Sequence, residues 1–224
     1  MLGLLALFTA LMATPLFLNQ EARDVILSRL SRKSVAQRLK AIDAAKPWIA
    51  KETGRIQGGL AILVFKNERI VELHAKGWDE PRIYKMTGFN GNLGPKLREG
   101  DGQIPEGIYS VESLNPNSAF HLSLKVSYPN ATDRRHAQED GRSNLGGDIM
   151  IHGGSATIGC IPIGDEAVEE VFYFAAKAGV KKTAIIIAPY DMRKGRIAEL
   201  EQSTLAWYGT LCDEIAAALK PFNH

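Results

Sequence analysis

His152 and Cys160 stand at the two ends of the segment Ile-His-Gly-Gly-Ser-Ala-Thr-Ile-Gly-Cys, residues 151–160. A cysteine is a useful nucleophile only as its thiolate, and an adjacent imidazole can take the proton and hold the resulting charge. Gly153, Gly154 and Gly159 favour a tightly turning loop and bring bare N–H groups close to a ligand. A base, a nucleophile and donors for an oxyanion are the parts of an acyl-transfer site, with the N–H groups of Gly159 and Cys160, or of their neighbours, as the expected donors. The plainer reading is a buried thiol and a hydrogen-bonded structural imidazole. The glycines argue against it, because they mark a loop rather than core. A metal site needs three or four ligands, and no further His, Cys or paired acid stands nearby at ligand spacing, so no metal and no cofactor is expected. Asp148 and Asp165, which flank the segment, read as a strand start and a helix cap.

The chain has 224 residues, 45% apolar and 23% charged, enough for one well-buried core. A net charge of +2 gives no push toward nucleic acid. Of the two cysteines, Cys212 falls in a helical stripe with Leu205, Leu211, Ile215 and Leu219 and reads as core, so two free thiols are expected.

Residues 1–18 carry no charged side chain and read as a signal peptide or membrane anchor. The basic residues that follow, Arg23 to Lys40, would by the positive-inside tendency stay in the cytoplasm, or lie on an anionic lipid surface. Export to the periplasm, with N-terminal membrane association open, is the expectation. Residues 19–55 form a helical arm, with apolar residues from Val25 to Ile49 at helical spacing and a break before Pro47.

From Gly58 the period changes to two, and residues 56–224 read as the catalytic domain. Strands are predicted at 60–65, 69–74, 82–87, 108–112, 120–128, 148–152 and 183–188. Residues 88–107, with six glycines and two prolines, read as a loop, as does 129–147. A helix begins at Asp165 and stops at Gly179, and another closes the chain over 202–220. The elements suggest a mainly β or α+β sandwich with helices at both termini and one after the Cys loop.

The order His-before-Cys argues against papain-like enzymes. The segment instead resembles the L,D-transpeptidase catalytic domain, or YkuD domain. His152-Gly153 matches that family's strand-end pair, and Thr157-Ile158-Gly159-Cys160 matches its nucleophile loop. Pro105-Glu106-Gly107-Ile108-Tyr109 looks like a family strand entry. The Gly94-to-Gly102 loop, the Phe120–Leu124 strand and Tyr128-Pro129-Asn130 with Asp133-Arg134 are similar to the subgroup of murein L,D-transpeptidase-like proteins with a longer C-terminal region. The chain departs from the common pattern at Ile158, where many members have a second His, and at Pro162, where they have Arg or Asn. His152 is therefore the expected base.

The resemblance implies that Cys160 attacks the L-centre carbonyl of a position-three diamino acid in a peptidoglycan stem peptide. His152 would move the proton, and a thioester would pass to an amine of another stem, to a lysine of a wall-attached lipoprotein, or to water. Thr157 is expected to orient the loop or to bond a substrate amide. His121, placed mid-strand on a face with Ser123 and Lys125, Gly153, and the pair Asp133–Arg134 are candidate substrate contacts. Lys96 and Arg98 are candidates for a stem carboxylate. For His121 the alternative is a structural or surface group, and for the others a solvated loop. Competing readings are a thiol hydrolase or amidase that trims stems or releases a wall-bound protein, an inactive wall-binding module, and a sortase-like enzyme with Arg193 as its arginine. The glycine loop at 91–96 lacks the ending and context of a phosphate loop.

Overall fold

The computed structural model describes residues 31–222, and those from Val35 onward form one compact unit. The leader expected at 1–18 lies outside the described residues. No helix among the described residues is long and apolar enough to cross a membrane.

Helices α1 (Val35–Ala45) and α2 (Trp48–Gly54) are separated at Pro47, as the spacing predicts. Eight strands follow: β1 Leu60–Phe65, β2 Ile70–Ala75, β3 Arg82–Lys85, β4 Gly107–Ser118, β5 His121–Val126, β6 Met150–His152, β7 Ile161–Pro162 and β8 Thr183–Ala188. Helix α3 (Ala131–Glu139) follows β5, α4 (Asp165–Ala178) follows β7, and α5 (Tyr208–Leu219) follows β8. The α+β class with terminal helices holds. The strands form one continuous sheet in the order β3-β2-β1-β8-β4-β5-β6-β7.

β1 explains the layering. All six of its residues are buried, because helices cover both sheet faces there. Leu60, Ile62 and Val64 join the core that includes α1, α2 and α4, while Ala61, Leu63 and Phe65 join the core under α5. Cys212 is buried in that second core, and both cysteines are free. Along β4 the first four residues pair with β8 and the later ones with β5, with register shifts at Val111/Ser113 and Asn115/Ser118. The bulges bend this strand so that it serves both halves of the sheet.

Two local expectations are corrected. The segment 129–147 is not all loop: it contains α3, started by a capping box in which Asn130 accepts from Thr132 N–H and Asp133 N–H and Asp133 accepts from Asn130 N–H. Asp165 is not the cap of α4. Gly164 holds that position, and Asp165 is the first helical residue, with its carboxylate turned elsewhere.

Candidate active site

β6 and β7 are short and parallel, with Ile151 opposite Ile161 and His152 opposite Pro162. Continued back one residue, this register sets Cys160 beside Met150. Alternate residues share a face, so Cys160 and His152 lie on one face of neighbouring chain segments, two positions out of register.

His152 is buried, 1% exposed, and its ring packs against Phe120 with centroids 4.6 Å apart. Nδ1 lies 2.5 Å from the Gly153 carbonyl oxygen. A carbonyl only accepts, so Nδ1 carries the hydrogen and Nε2 keeps its lone pair. Burial lowers the imidazole pKa below its ordinary value, with the Gly153 bond opposing. His152 is thus held as a neutral base.

The turn after His152 is braced from three directions. Gly153 N–H donates to the Phe120 and Leu122 carbonyls at 3.1 and 3.3 Å. Gly154 N–H donates to Asp165 Oδ1 at 2.8 Å, and Thr87 Oγ1 donates to the Gly154 carbonyl at 2.5 Å. Gly153 is required by close approach, since a Cβ there would lie 2.4 Å from Asp165 Oδ1 and 2.7 Å from the Phe120 oxygen.

Cys160 is half-buried. Its sulfur donates to the Asp148 carbonyl at 3.6 Å and accepts from Met150 N–H. Among the described residues no hydrogen bond joins it to His152. Burial raises the thiol pKa, Met150 N–H and the Lys96 charge oppose this, and Asp148 adds to it. Thiol and imidazole therefore both rest uncharged.

Thr157 orients the loop: Oγ1 donates to the Cys160 carbonyl at 2.8 Å and accepts from Gly159 N–H at 3.2 Å. That occupies the Gly159 N–H, one of the expected oxyanion donors. Cys160 N–H makes no hydrogen bond among the described residues. Gly159 has φ +120°, and a Cβ there would sit 2.9 Å from the Gln103 carbonyl oxygen. The glycine-rich loop 88–107 thus packs directly on the Cys160 loop, a contact that no motif announces.

The remaining candidates divide. His121 begins β5 at φ +69° instead of lying mid-strand, and Nε2 meets Glu169 of α4 at 2.9 Å. Its Cβ still lies close to Gly153. Asp133 is drawn inward: Oδ1 accepts from Tyr109 OH at 3.0 Å and Oδ2 from Asn130 N–H at 2.8 Å. The two side chains of the candidate pair thus part: Arg134 stands exposed on α3 while its neighbour braces the helix start. Lys96 is buried and bonded to Asp101 at 2.6 Å and to the Arg98 carbonyl, leaving Arg98 exposed. Arg193 is committed to Glu72, Asp191 and the Phe222 carbonyl, which removes the sortase-like arrangement. Among the described residues no group of three metal-ligating side chains occurs.

No family model matches the chain. It is 35% identical over 139 residues to the protein named "Putative L,D-transpeptidase YafK" of Escherichia coli K12, and equally to that of strain O157:H7. The match covers 58% of this chain and 54% of the relative, so the chain spans about half the length of the curated relatives it matches. Among solved structures, the helical cell shape determining protein Pgp2 from Campylobacter jejuni aligns with TM-score 0.45 and 24% identity over 65% of this chain and 56% of that one. An L,D-transpeptidase from Xylanimonas cellulosilytica aligns with TM-score 0.38 and 14% identity over 60% and 62%. The resemblance to the L,D-transpeptidases, first read from the Cys160 loop, thus extends to a 139-residue match with a relative that carries their name.

Proposed function

We propose that the chain is an exported cysteine acyltransferase of the L,D-transpeptidase kind, acting on peptidoglycan stem peptides in the periplasm. One observation carries the reading: Gly153 fixes the His152 tautomer so that Nε2 is a free base, on the same sheet face as a half-exposed thiol.

In the first step a χ1 rotation of Cys160 swings the sulfur from the Asp148 carbonyl toward the imidazole, a contact of the kind that tightens when substrate binds. His152 Nε2 takes the thiol proton as Sγ attacks the carbonyl carbon at the L-centre. The oxyanion forms beside the uncommitted Cys160 N–H; one such donor is typically worth about 3 kcal/mol. The C–N bond breaks, His152 returns the proton to the departing D-residue amine, and a thioester remains. An amine of a second stem or a lysine of a wall-attached lipoprotein then displaces the sulfur, or water does so and the stem is trimmed.

The test is purified muropeptide incubated with wild type and with Cys160→Ala and read by mass spectrometry. The wild type is expected to release the terminal D-residue and form a new amide, and the variant to do neither. Full turnover by Cys160→Ala removes the nucleophile assignment.

A further inference from the structure

Strand β5 runs antiparallel to β6, with Ser123 opposite His152 and Lys125 opposite Met150. Gly153 N–H donates to the Leu122 carbonyl at 3.3 Å, and Val126 N–H donates to the Ile149 carbonyl at 2.9 Å. Those bonds fix the alternation along the pair, so Ser123 and His152 face each other where no main-chain bond joins the strands. At such a position the facing Cα atoms approach to about 4.5 Å and the side chains stand closest. Leu122, Leu124, Val126 and Ile151 fill the core on one face of the sheet. Ser123 and His152 therefore share the other face, the one that carries Cys160.

Ser123 is 2% exposed, and its hydroxyl makes no hydrogen bond among the described residues. A buried hydroxyl is rarely left without a partner. The ring it faces changes charge during acyl transfer: neutral at rest, an imidazolium once it holds the thiol proton, neutral again when the amine departs. The influences on that ring are burial and the Gly153 bond, and no carboxylate is among them. The charged groups nearby are engaged elsewhere. On β5, Lys125 lies 3.2 Å from Asp148 and 3.6 Å from Glu112, and His121 holds Glu169 of α4 at 2.9 Å. Asp165, at the start of α4, accepts from Gly154 N–H. Lys96, whose charge acts on Cys160, is bonded to Asp101 at 2.6 Å. On the β7 side stand Pro162 and the uncharged thiol, and Phe120 packs on the ring itself. Among the described residues, Ser123 is thus the polar side chain in register with the imidazole that binds nothing else.

We propose that Ser123 is a positioning residue for His152: its hydroxyl turns its oxygen toward the imidazole when the ring takes the Cys160 proton, and steadies the imidazolium until that proton passes to the departing amine. The inference rests on the acyl-transfer reading and adds a residue to its machinery. The S–H bond breaks, an N–H bond forms at His152 Nε2, and Ser123 neither gains nor loses a proton. A hydroxyl suits a ring that alternates between neutral and charged, because it offers lone pairs to the imidazolium and carries no charge that would trap the proton there. A carboxylate in its place would hold the ring charged between turnovers.

The test follows the titration of His152 by NMR on full-length protein with isotope-labelled histidine rings, its signal identified with His152→Gln. Ser123→Ala is expected to fold as the wild type does and to titrate at His152 about one pH unit lower, because the imidazolium loses an acceptor. On purified muropeptide its kcat is expected to fall about tenfold with KM unchanged, and the acid limb of kcat/KM to move by the same unit toward acid. Ser123→Thr, which keeps the hydroxyl, is expected to restore titration and rate together. A space-filling serine would move thermal unfolding and leave the titration where it was. An unchanged His152 titration in folded Ser123→Ala overturns the proposal, even where muropeptide turnover by the wild type upholds the acyl-transfer reading. A shifted titration without wild-type turnover removes that reading, and this role with it.

Discussion

Lys66 Nζ and Glu106 Oε1 meet at 2.8 Å, and neither side chain exposes any surface. The ammonium also donates to the Gly94 and Ile104 carbonyls, and the carboxylate also accepts from Gly94 N–H and Tyr208 OH. The pair is saturated, and it ties the end of β1 and helix α5 to the loop that packs on Gly159. Glu106→Gln keeps the shape but leaves a buried ammonium unpaired, so a loss of about 3 kcal/mol in urea unfolding is expected, whereas Lys66→Met with Glu106→Leu costs much less. A single-variant loss below about 1 kcal/mol would show that the pair is not what holds the loop.

The pH dependence follows from two opposite shifts. The imidazole of His152 lies below its ordinary value of 6.5, so the base form is already populated at neutral pH and activity declines only as the medium becomes more acidic than that. The thiol of Cys160 lies above its ordinary value of 9.0, so alkylation of free enzyme by iodoacetamide is expected to rise on the alkaline side of 9.0. A plateau of alkylation near neutrality would reveal a preformed thiolate–imidazolium pair and reverse this assignment.

Burial of neutral His152 also makes stability fall with acid. Its folded-state pKa is depressed relative to the unfolded chain, so unfolded protein binds more protons below pH 6.5. His136, stacked on Trp207 with centroids 4.0 Å apart, shifts the same way, chiefly through burial. The stabilisation present above pH 6.5 is expected to drain away as pH falls through the lowered values. His136→Gln should flatten that slope in denaturation profiles collected between neutrality and mild acid, and an unchanged slope would assign it elsewhere.

What the sequence could announce depended on the kind of signal. The run Leu60–Phe65 is apolar at every position because β1 is covered on both faces, and that made it legible. α3 was missed because ATDRRHAQE is almost wholly polar and buries only His136 and Ala137; its one signal was Asn130 with Asp133 three residues on. Pro116 and the bulges hid the length of β4. At the site, His152 and Cys160 stood out by residue type. The partner of His152 is a backbone carbonyl, which has no signature. Asp165 reaches back across the Cys160 loop to Gly154, which a reading of α4 alone cannot reveal. The meeting of the sheet edges at Thr87 and Pro162 depends on curvature accumulated over eight strands.

Thr157 offers a test of loop order separate from chemistry. Its hydroxyl bridges Gly159 N–H and the Cys160 carbonyl, and serine preserves both bonds. Thr157→Ser is expected to stay within about threefold of wild-type kcat, while Thr157→Val, isosteric but without the hydroxyl, loses about tenfold, the equivalent of about 1.4 kcal/mol and within the range of one hydrogen bond. Equal rates for the two variants would free the hydroxyl from this role.

Gly153 and Gly209 make opposite cases for the same change. A methyl on Gly153 meets Asp165 Oδ1 at 2.4 Å and the Phe120 carbonyl at 2.7 Å, and both are fixed by bonds to this turn. Neither can withdraw without releasing Gly153 N–H or Gly154 N–H, so Gly153→Ala is expected to cost about 2 kcal/mol and to displace the carbonyl that sets the His152 tautomer. Activity should therefore fall further than the loss of folded protein accounts for. Gly209 sits in the first turn of α5 with nothing within 4 Å of an added Cβ. There alanine only narrows the unfolded ensemble, and Gly209→Ala is expected to raise stability by about 0.5 kcal/mol with kcat unchanged. Thermal unfolding and initial rates on both variants decide the matter: a Gly153→Ala enzyme with wild-type kcat would mean that the imidazole is held by something other than the Gly153 carbonyl.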